Sequence, residues 1–260
     1  MKDFLRKAFY KRRDLLVQHC NRFLNKFIVI PPDILLQAPA AKSALVIAPH
    51  PDDEVIGCGG TVHNLTKQGS KVDVLIVTGG KNVEGNNLSE TRKQEARDAT
   101  AILGVNRLSF LEFEEENIRP AARLEEALQA KIEDIQPAIV FAPNIFDNHP
   151  DHILIGQGLL NAAKICRFEF QCYFFEVWTP LVANTFIDIT SEVETKTRAL
   201  EAHQSQVNTT PLKEMILSLN RYRAIAALSG NPSMKYAEAF FRVGPQELSS
   251  LSWIQKESSS

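Results

Sequence analysis

The sequence predicts an α/β fold: a Rossmann-like, mostly parallel sheet with helices on both faces. From Ser43 onward, short runs rich in Val, Ile, Leu and Phe alternate with longer helical stretches, a pattern typical of parallel strands joined by crossover helices. The chain has 260 residues, of which 44% are hydrophobic and 23% charged, so it can bury a core of that size. Sites in such sheets lie beyond the carboxyl ends of the strands, and we expect the functional site there.

The predicted elements follow one another in a regular order. The run Ala44–Ala48 has the length and branching of a buried strand, and the helix that follows it is predicted at 55–68. Ser89 opens the next helix as its N-cap, and Gly104 ends it. The other strands are predicted at 72–77, 107–113, 138–142 and 171–177, the other helices at 121–135, 153–166, 192–206 and 212–227, and a short apolar run at 237–243.

The composition argues against several classes of protein. No run of about 18 apolar residues predicts a transmembrane helix, and the N-terminus lacks the apolar core and cleavage site of a signal peptide. The four cysteines show no CxxC spacing, which argues against a disulfide framework or a cysteine zinc site. We therefore predict a cytoplasmic protein.

The first thirty residues differ from the rest in charge. They hold eight Lys or Arg and two Asp, a net charge of +6, whereas the remainder holds 21 basic and 29 acidic residues, a net charge of −8. Apolar residues recur between the basic ones, as in an amphipathic helix with a cationic face. They are Leu5, Phe9, Leu16, Phe23 and Phe27, and the prolines at 31 and 32 end the pattern.

This segment leaves three interpretations open. It packs on the domain as a solvated helix, it makes a peripheral contact with a membrane surface or another anionic partner, or it joins copies of the chain in a homo-oligomer. Nucleic acid is not expected as a partner, because no recognised binding fold accompanies the basic charge. We predict an N-terminal extension at 1–40, a catalytic domain at 41–248 and a disordered Ser-rich tail at 249–260.

The first polar cluster is His50-Pro51-Asp52-Asp53-Glu54, directly after the first strand. It packs one imidazole and three carboxylates into five residues, and their mutual repulsion is costly without a cation nearby. The alternative is that Asp52 or Asp53 caps the following helix. Capping alone would not require so many charged groups, so we favour a metal site.

The second polar cluster is Asp147-Asn148-His149-Pro150-Asp151-His152, after the fourth strand. Its two histidines, with a carboxylate between them, offer one metal ligand and a second imidazole that Asp151 can hold charged. Together the two clusters supply His, carboxylate and His, a ligand set suited to a catalytic zinc site with an open position. The alternative is two surface turns that happen to be rich in His and Asp.

These residues resemble the two signature motifs of the LmbE-like (PIG-L) family of zinc-dependent N-acetylglucosaminyl deacetylases. The resemblance rests on the segments 48–54 and 149–152, with the glycines at 57, 59 and 60 after the first motif. It extends to Arg92 and Glu95, to the stretch 196–206 and to the stretch 236–240, and covers about residues 43–243.

The resemblance implies a division of roles and one zinc ion per chain, with other divalent metals as alternatives. His50, Asp53 and His152 would bind the metal, and Asp52 would be the general base that takes a proton from water and passes it to the departing amine. His149, held as imidazolium by Asp151, would stabilise the oxyanion.

Four more residues are predicted to contact substrate, each with an alternative. Arg92 and Glu95 are three residues apart on one helix, where an ion pair between them is equally plausible. Asp147 stands where some family members have a tyrosine that donates to the oxyanion, so it would instead tune His149 or contact a sugar hydroxyl. His203 would border the site or lie on the surface. Trp178 and Phe186 would form a sugar-stacking wall, although core packing is favoured.

The function predicted is hydrolysis of the N-acetyl group of an N-acetylglucosamine-type sugar, glycolipid or glycan precursor, which releases acetate and the free amine. One rival is a two-His, one-carboxylate Fe(II) oxygenase built on His50, Asp52 and His152, although such oxygenases are generally all-β. The other is a metal-binding or scaffold protein without turnover, against which Asp52 and His149 count, because holding zinc requires neither.

Overall fold

The described part of the chain forms one eight-stranded sheet flanked by helices. The computed structural model describes residues 33–35, 38–79, 89–208, 211–227, 230–245 and 247. The strands are β1 (Asp33–Leu35), β2 (Ser43–Ala48), β3 (Lys71–Thr78), β4 (Arg107–Phe113), β5 (Ile139–Pro143), β6 (Gln171–Phe175), β7 (Thr185–Asp188) and β8 (Ala237–Val243). The helices are α1 (Asp53–Lys67), α2 (Ser89–Leu103), α3 (Ala121–Ile135), α4 (Pro150–Ile165), α5 (Val193–Ala202), α6 (Gln204–Val207) and α7 (Leu212–Ala226).

The sheet is mostly parallel, as predicted. Its strand order is β1-β7-β8-β6-β5-β2-β3-β4, in which β8 runs antiparallel to β6 and β7 and the other neighbouring pairs are parallel. The chain runs from β2 outward through β3 and β4 and then returns to β5 on the other side of β2. This reversal places the loops after β2 and β5 side by side at the carboxyl edge, where open α/β sheets bind their ligands.

Both faces of the sheet are covered by helices. Along β2, Val46 and Ala48 belong to a core shared with α1, α2 and α5, whereas Leu45 and Ile47 belong to a core shared with α3 and α4. Because successive side chains of a strand point to opposite faces, β2 is apolar at every position from Ala44 to Ala48. None of the described helices is long and apolar enough to cross a membrane.

The structure adds two strands that the sequence did not predict. The three residues of β1 and the four of β7 are too short to carry a clear periodicity. Because β1 pairs with β7, the sheet begins inside the segment 1–40 that was assigned to the extension. The predicted leader helix in residues 1–30 and the predicted tail from residue 249 lie outside the described residues.

Two predicted helices also differ in their bounds. The helix α4 begins at Pro150 rather than at 153, because proline suits the first turn, where its missing N–H is not needed. The helix predicted at 192–206 is divided at His203, whose φ of −80° and ψ of 59° are not helical. At this break the ring of His203 reaches Glu54 on α1.

The helix α1 is interrupted at Cys58, whose φ of −148° and ψ of 19° leave the helical region. Glycines on either side allow close packing, because a Cβ at Gly57 would overlap the ring of Phe175 and a Cβ at Gly60 would overlap Ile189. These contacts explain the glycine cluster without a phosphate-binding role.

A buried ion pair bridges this interruption. Glu238 on β8 accepts the backbone N–H groups of Gly60 and Thr61 at 2.9 and 2.8 Å. Lys196 on α5 donates to Glu238 at 2.6 Å and to the backbone carbonyl of Ile56 at 2.9 Å. The pair therefore satisfies backbone groups on both sides of the break. It supports the part of α1 that begins in the first polar cluster.

Candidate metal centre

Three side chains converge where the loops after β2 and β5 meet. His50 lies in the loop after β2, Asp53 is the first residue of α1, and His152 lies in the first turn of α4. The Nδ1 atom of His50 is 3.1 Å from Oδ2 of Asp53 and 3.4 Å from Nε2 of His152, and the last two atoms are 3.3 Å apart. The sequence predicted these three residues as ligands, and the structure brings their donor atoms together.

The spacing of these atoms suits a tetrahedral metal ion. Zinc ligands lie about 2.0–2.2 Å from the ion, so two ligand atoms of a tetrahedral site are about 3.3–3.6 Å apart. The wider set of His50, His149 and His152 also gathers three ligand atoms, but only within 4.8 Å. The set with Asp53, whose atoms are 3.1–3.4 Å apart, is therefore closer to the tetrahedral spacing than the set with His149.

The local backbone explains why Asp53 and Asp52 point apart. The carboxylate of Asp53 turns back to accept the backbone N–H of His50 at 3.0 Å. Asp52 has a φ of 129° and makes no capping hydrogen bond with its side chain. Such a backbone conformation is strained for a residue with a Cβ, and strain of this kind clusters at functional sites. Helix capping therefore does not explain Asp52.

Each of these two histidines has a carboxylate near its other ring nitrogen. Asp151 Oδ2 lies 3.0 Å from His50 Nε2. Asp147 Oδ2 lies 3.5 Å from His152 Nδ1, which is an electrostatic contact, because this buried Nδ1 makes no hydrogen bond. Carboxylates in this position orient the imidazole and raise its basicity as a ligand.

The charges of this pocket favour a cation. Burial opposes protonation of His50, but hydrogen bonds to Asp151 and Asp53 raise its pKa to about 10. Burial likewise opposes protonation of His152, yet Asp53 and Asp147 raise its pKa to about 9. Asp53 is buried, but the two histidines hold its pKa well below the usual range. The carboxylates thus stabilise positive charge at this position, and a bound divalent ion would replace the protons of the two rings.

The comparisons with known proteins agree with this site. The GlcNAc-PI de-N-acetylase (PIG-L) family profile matches residues 45–163, a range that contains both clusters. A diacetylchitobiose deacetylase of Thermococcus kodakarensis is 31% identical over 190 residues, which cover 64% of this chain and 70% of the relative. The chain belongs to the PIG-L (LmbE-like) family.

Two further matches extend the comparison. A probable N-acetyl-α-D-glucosaminyl L-malate deacetylase 2 of Bacillus cereus is 32% identical over 136 residues, which cover 47% of this chain and 61% of that protein. The crystal structure of an N,N′-diacetylchitobiose deacetylase from Pyrococcus horikoshii matches with a TM-score of 0.70 and 23% identity, over 81% of this chain and 88% of that one. This structural likeness shows that the chain shares the fold of PIG-L deacetylases.

The role predicted for Asp151 in this PIG-L site is different from its observed contacts. Its carboxylate binds His50 and accepts the backbone N–H of Glu116 at 2.9 Å, and it makes no hydrogen bond to His149. Instead, the backbone N–H of Asp151 donates to Nδ1 of His149 at 3.2 Å. Since Nδ1 is an acceptor, the ring proton of His149 resides on Nε2.

This contact favours a neutral imidazole at His149 over the predicted imidazolium. Burial lowers its pKa, and the nearby charges of His50 and His152 lower it further. A neutral imidazole with its proton on Nε2 can still donate a hydrogen bond to a developing oxyanion. The predicted oxyanion role stays compatible with the structure, but the predicted charge does not.

Behind Asp52 lies a buried pair that the sequence did not identify. Glu54 accepts the backbone N–H of Asp52 at 3.0 Å, and its other oxygen lies 3.3 Å from Nε2 of His203. Burial, and then the charge of Asp53, raise the pKa of Asp52 to about 7 against the opposing charges of His203 and Arg92. His203 is only 1% exposed, so of the two predicted positions it borders the site, behind Asp52, and does not lie on the surface.

Two other residues that were predicted to contact substrate form hydrogen bonds within the protein. Both carboxylate oxygens of Glu95 are occupied, because the backbone N–H and the hydroxyl of Ser205 donate to them at 2.8 and 2.6 Å. Asp147 is buried and accepts the backbone N–H groups of His149 and Trp178 at 3.1 and 3.2 Å. Asp147 therefore organises the loop and faces His152.

Arg92 keeps its predicted place at the site. Instead of pairing with Glu95, it donates to Glu115 at 2.6 Å and to the backbone carbonyl of Pro51 at 3.5 Å. Its Nε atom is buried without a hydrogen-bond partner. Glu115 was missed by sequence reasoning, although it follows the carboxyl end of β4, at the edge where the other polar clusters were found.

We expect Asp147→Asn to weaken metal binding about 10- to 100-fold, the usual cost of removing a carboxylate that orients a metal-binding histidine. Competition with a chelating dye measures this directly and independently of activity. Asp134→Asn is the matched control, because the Asp134 side chain is 60% exposed. A dissociation constant of Asp147→Asn within twofold of wild type would show that Asp147 does not act on His152.

Proposed function

We propose that this protein is a zinc-dependent N-deacetylase that hydrolyses the acetamide of an N-acetylglucosamine-type sugar or sugar conjugate. The observation that carries the proposal is the convergence of His50, Asp53 and His152 beside Asp52, whose carboxylate is neither a ligand nor a helix cap. The relatives named above as deacetylases of diacetylchitobiose and N-acetylglucosaminyl malate support the substrate class.

In this proposal the metal is held by His50, Asp53 and His152. A bound zinc ion would supply a water of lowered pKa and polarise the amide carbonyl. Asp151 and Asp147 would keep the two imidazoles oriented towards the ion. The metal identity rests on the nitrogen and oxygen donors, which zinc shares with other divalent transition metals.

Asp52 would move the proton during the reaction. Its carboxylate takes a proton from the attacking water as the new C–O bond forms, and then passes it to the nitrogen as the C–N bond breaks. The products are acetate and the free amine. The strained backbone of Asp52, held by Glu54 through its N–H, orients the base before substrate binds.

His149 and Arg92 would contact the substrate. The Nε2–H of His149 would donate to the oxygen that gains negative charge in the tetrahedral transition state. The guanidinium of Arg92 lies beside Pro51 and would donate to a sugar hydroxyl there.

The oxygenase rival is not favoured by the geometry. That rival requires His50, Asp52 and His152 as ligands, whereas Asp53 is the carboxylate that touches both histidines. The fold is also α/β rather than all-β. The scaffold rival predicts no turnover and is decided by an activity measurement.

A panel of N-acetylglucosamine conjugates, scored for released acetate with zinc present, tests the proposal. We expect acetate from at least one N-acetylglucosamine conjugate and none from N-acetylated amino acids. If purified, zinc-loaded protein released acetate from no member of the panel, the proposed function would be wrong.

A further inference from the structure

We propose that Trp178 and Phe146 form a stacking subsite for a second sugar ring, the one attached to the acetamido sugar whose amide is cleaved. This inference rests on the proposed function and extends it, because it names a disaccharide or longer saccharide as the preferred substrate class. The assignment follows from the exposure, position and support of these two aromatic residues.

Both aromatic side chains face solvent. Phe146 is 59% exposed and Trp178 is 44% exposed, so Trp178 does not pack in the core as the sequence analysis favoured. Phe186, the other residue of the wall considered there, is 5% exposed and belongs to a core cluster. Large exposed apolar side chains are informative when they gather beside a functional site.

The two residues flank the proposed metal centre. Phe146 directly precedes Asp147, and the backbone N–H of Trp178 donates to the Asp147 carboxylate at 3.2 Å. The same carboxylate oxygen lies 3.5 Å from Nδ1 of His152. The backbones of both aromatic residues are therefore one contact away from a carboxylate that touches a metal ligand.

The loop that carries Trp178 is firmly anchored. Arg223 on α7 forms a two-pronged ion pair with Glu176 and donates to the carbonyl of Leu181 at 2.9 Å. Glu176 also accepts the backbone N–H of Leu181 at 2.9 Å. Both ends of the segment 176–181 are thus fixed by one buried ion pair. The backbone that carries Trp178 is held in place before any ligand arrives, which reduces the entropic cost of binding.

The surroundings of the rings fit a saccharide better than a lipid chain. Next to the two aromatic residues along the chain, the backbone N–H of Asn148 donates to the hydroxyl of Thr179 at 3.2 Å, so polar groups lie beside the aromatic ones. A pyranose ring presents C–H groups to an aromatic face and hydroxyls around its rim, and therefore needs both kinds of neighbour. A lipid chain would need a continuous apolar patch.

Substrate selectivity is the first test, with N,N′-diacetylchitobiose and N-acetylglucosamine compared as substrates. We expect Trp178→Ala to lower the ratio of their kcat/KM values about tenfold, on the scale of one aromatic contact. Trp178→Phe should keep the ratio within about twofold, because it keeps a flat ring. Ile165→Ala, which removes a 57% exposed side chain at the end of α4, is the control and should not change the ratio.

Fluorescence is the second test, and it does not depend on turnover or on a disruptive variant. The chain has two tryptophans, Trp178 and Trp253, so Trp253→Phe leaves Trp178 as the single reporter. We expect chitobiose to change this emission and glucosamine to leave it unchanged. Equal effects of Trp178→Ala on both substrates, or no response of the emission to chitobiose, would overturn the inference. Acetate release without a change in Trp178 emission would overturn the subsite and leave the proposed deacetylase function intact. A change in emission without acetate release would refute only the proposed deacetylase function.

Discussion

Asp52→Asn is expected to lower acetate release by a factor of about 10² to 10⁴, the usual contribution of a general acid–base residue, while zinc remains bound. The physical reason is that Asp52 is beside the ligands but is not one of them. Asparagine keeps the size of the side chain and cannot accept the proton of water. Turnover of the best sugar conjugate and the zinc content of the same sample are measured together.

The control for Asp52→Asn is Asp73→Asn, which removes a carboxylate near the amino ends of the parallel strands, away from the site. Asp73 lies on β3, where it pairs with Arg107 at 2.8 Å. We expect its activity and zinc content to match wild type. If Asp52→Asn kept more than a tenth of wild-type activity, Asp52 would not be the general base, and a loss of zinc in this variant would move Asp52 into the ligand set.

The second large effect is on stability. Lys196→Ala is expected to lower the free energy of unfolding by about 3–5 kcal/mol, because it leaves the Glu238 charge buried without its partner. Lys196 and Glu238 are both fully buried, and Lys196 also binds the carbonyl of Ile56 at the break in α1. Urea unfolding followed by circular dichroism measures the change.

Two comparisons isolate the buried pair. The double variant Lys196→Met with Glu238→Gln should be less destabilised than the sum of its single variants, because neither charge is left alone. Lys213→Ala breaks an ion pair with Glu201 in which both side chains are about half exposed, and should cost less than about 1 kcal/mol. A loss below about 1 kcal/mol in Lys196→Ala would contradict the proposed support of α1.

The convergence of the three proposed ligands could be predicted from the sequence because they lie in two short motifs. His50 and Asp53 lie three positions apart on one turn, and the parallel order of β2 and β5 brings His152 beside them. The rule that sites lie at the carboxyl edge of such sheets was enough to bring the motifs together. The main alternative for Asp52, a helix cap, could be rejected only from the structure. There Asp52 has a φ of 129° and its side chain makes no capping hydrogen bond.

The sequence predicted the supporting residues poorly because their partners are far away along the chain. Glu95 binds Ser205, 110 positions later, and His203 binds Glu54 across 149 positions. No periodicity or spacing within one element indicates such contacts. The role of Asp151 was misassigned for a related reason. The two imidazoles near Asp151 in the sequence are His149 and His152, but its carboxylate binds His50, 101 positions earlier.

The most direct test of a metal-dependent deacetylase is a titration of zinc into metal-free wild-type protein, with acetate release followed at each addition. The protein is freed of metal with a chelator and then supplied with zinc in steps. We predict that activity rises from near zero and reaches its plateau at one zinc ion per chain, and that His152→Ala shows no such plateau. Full activity of the metal-free protein, or equal activation of His152→Ala, would contradict a reaction that depends on a metal ion held by His152.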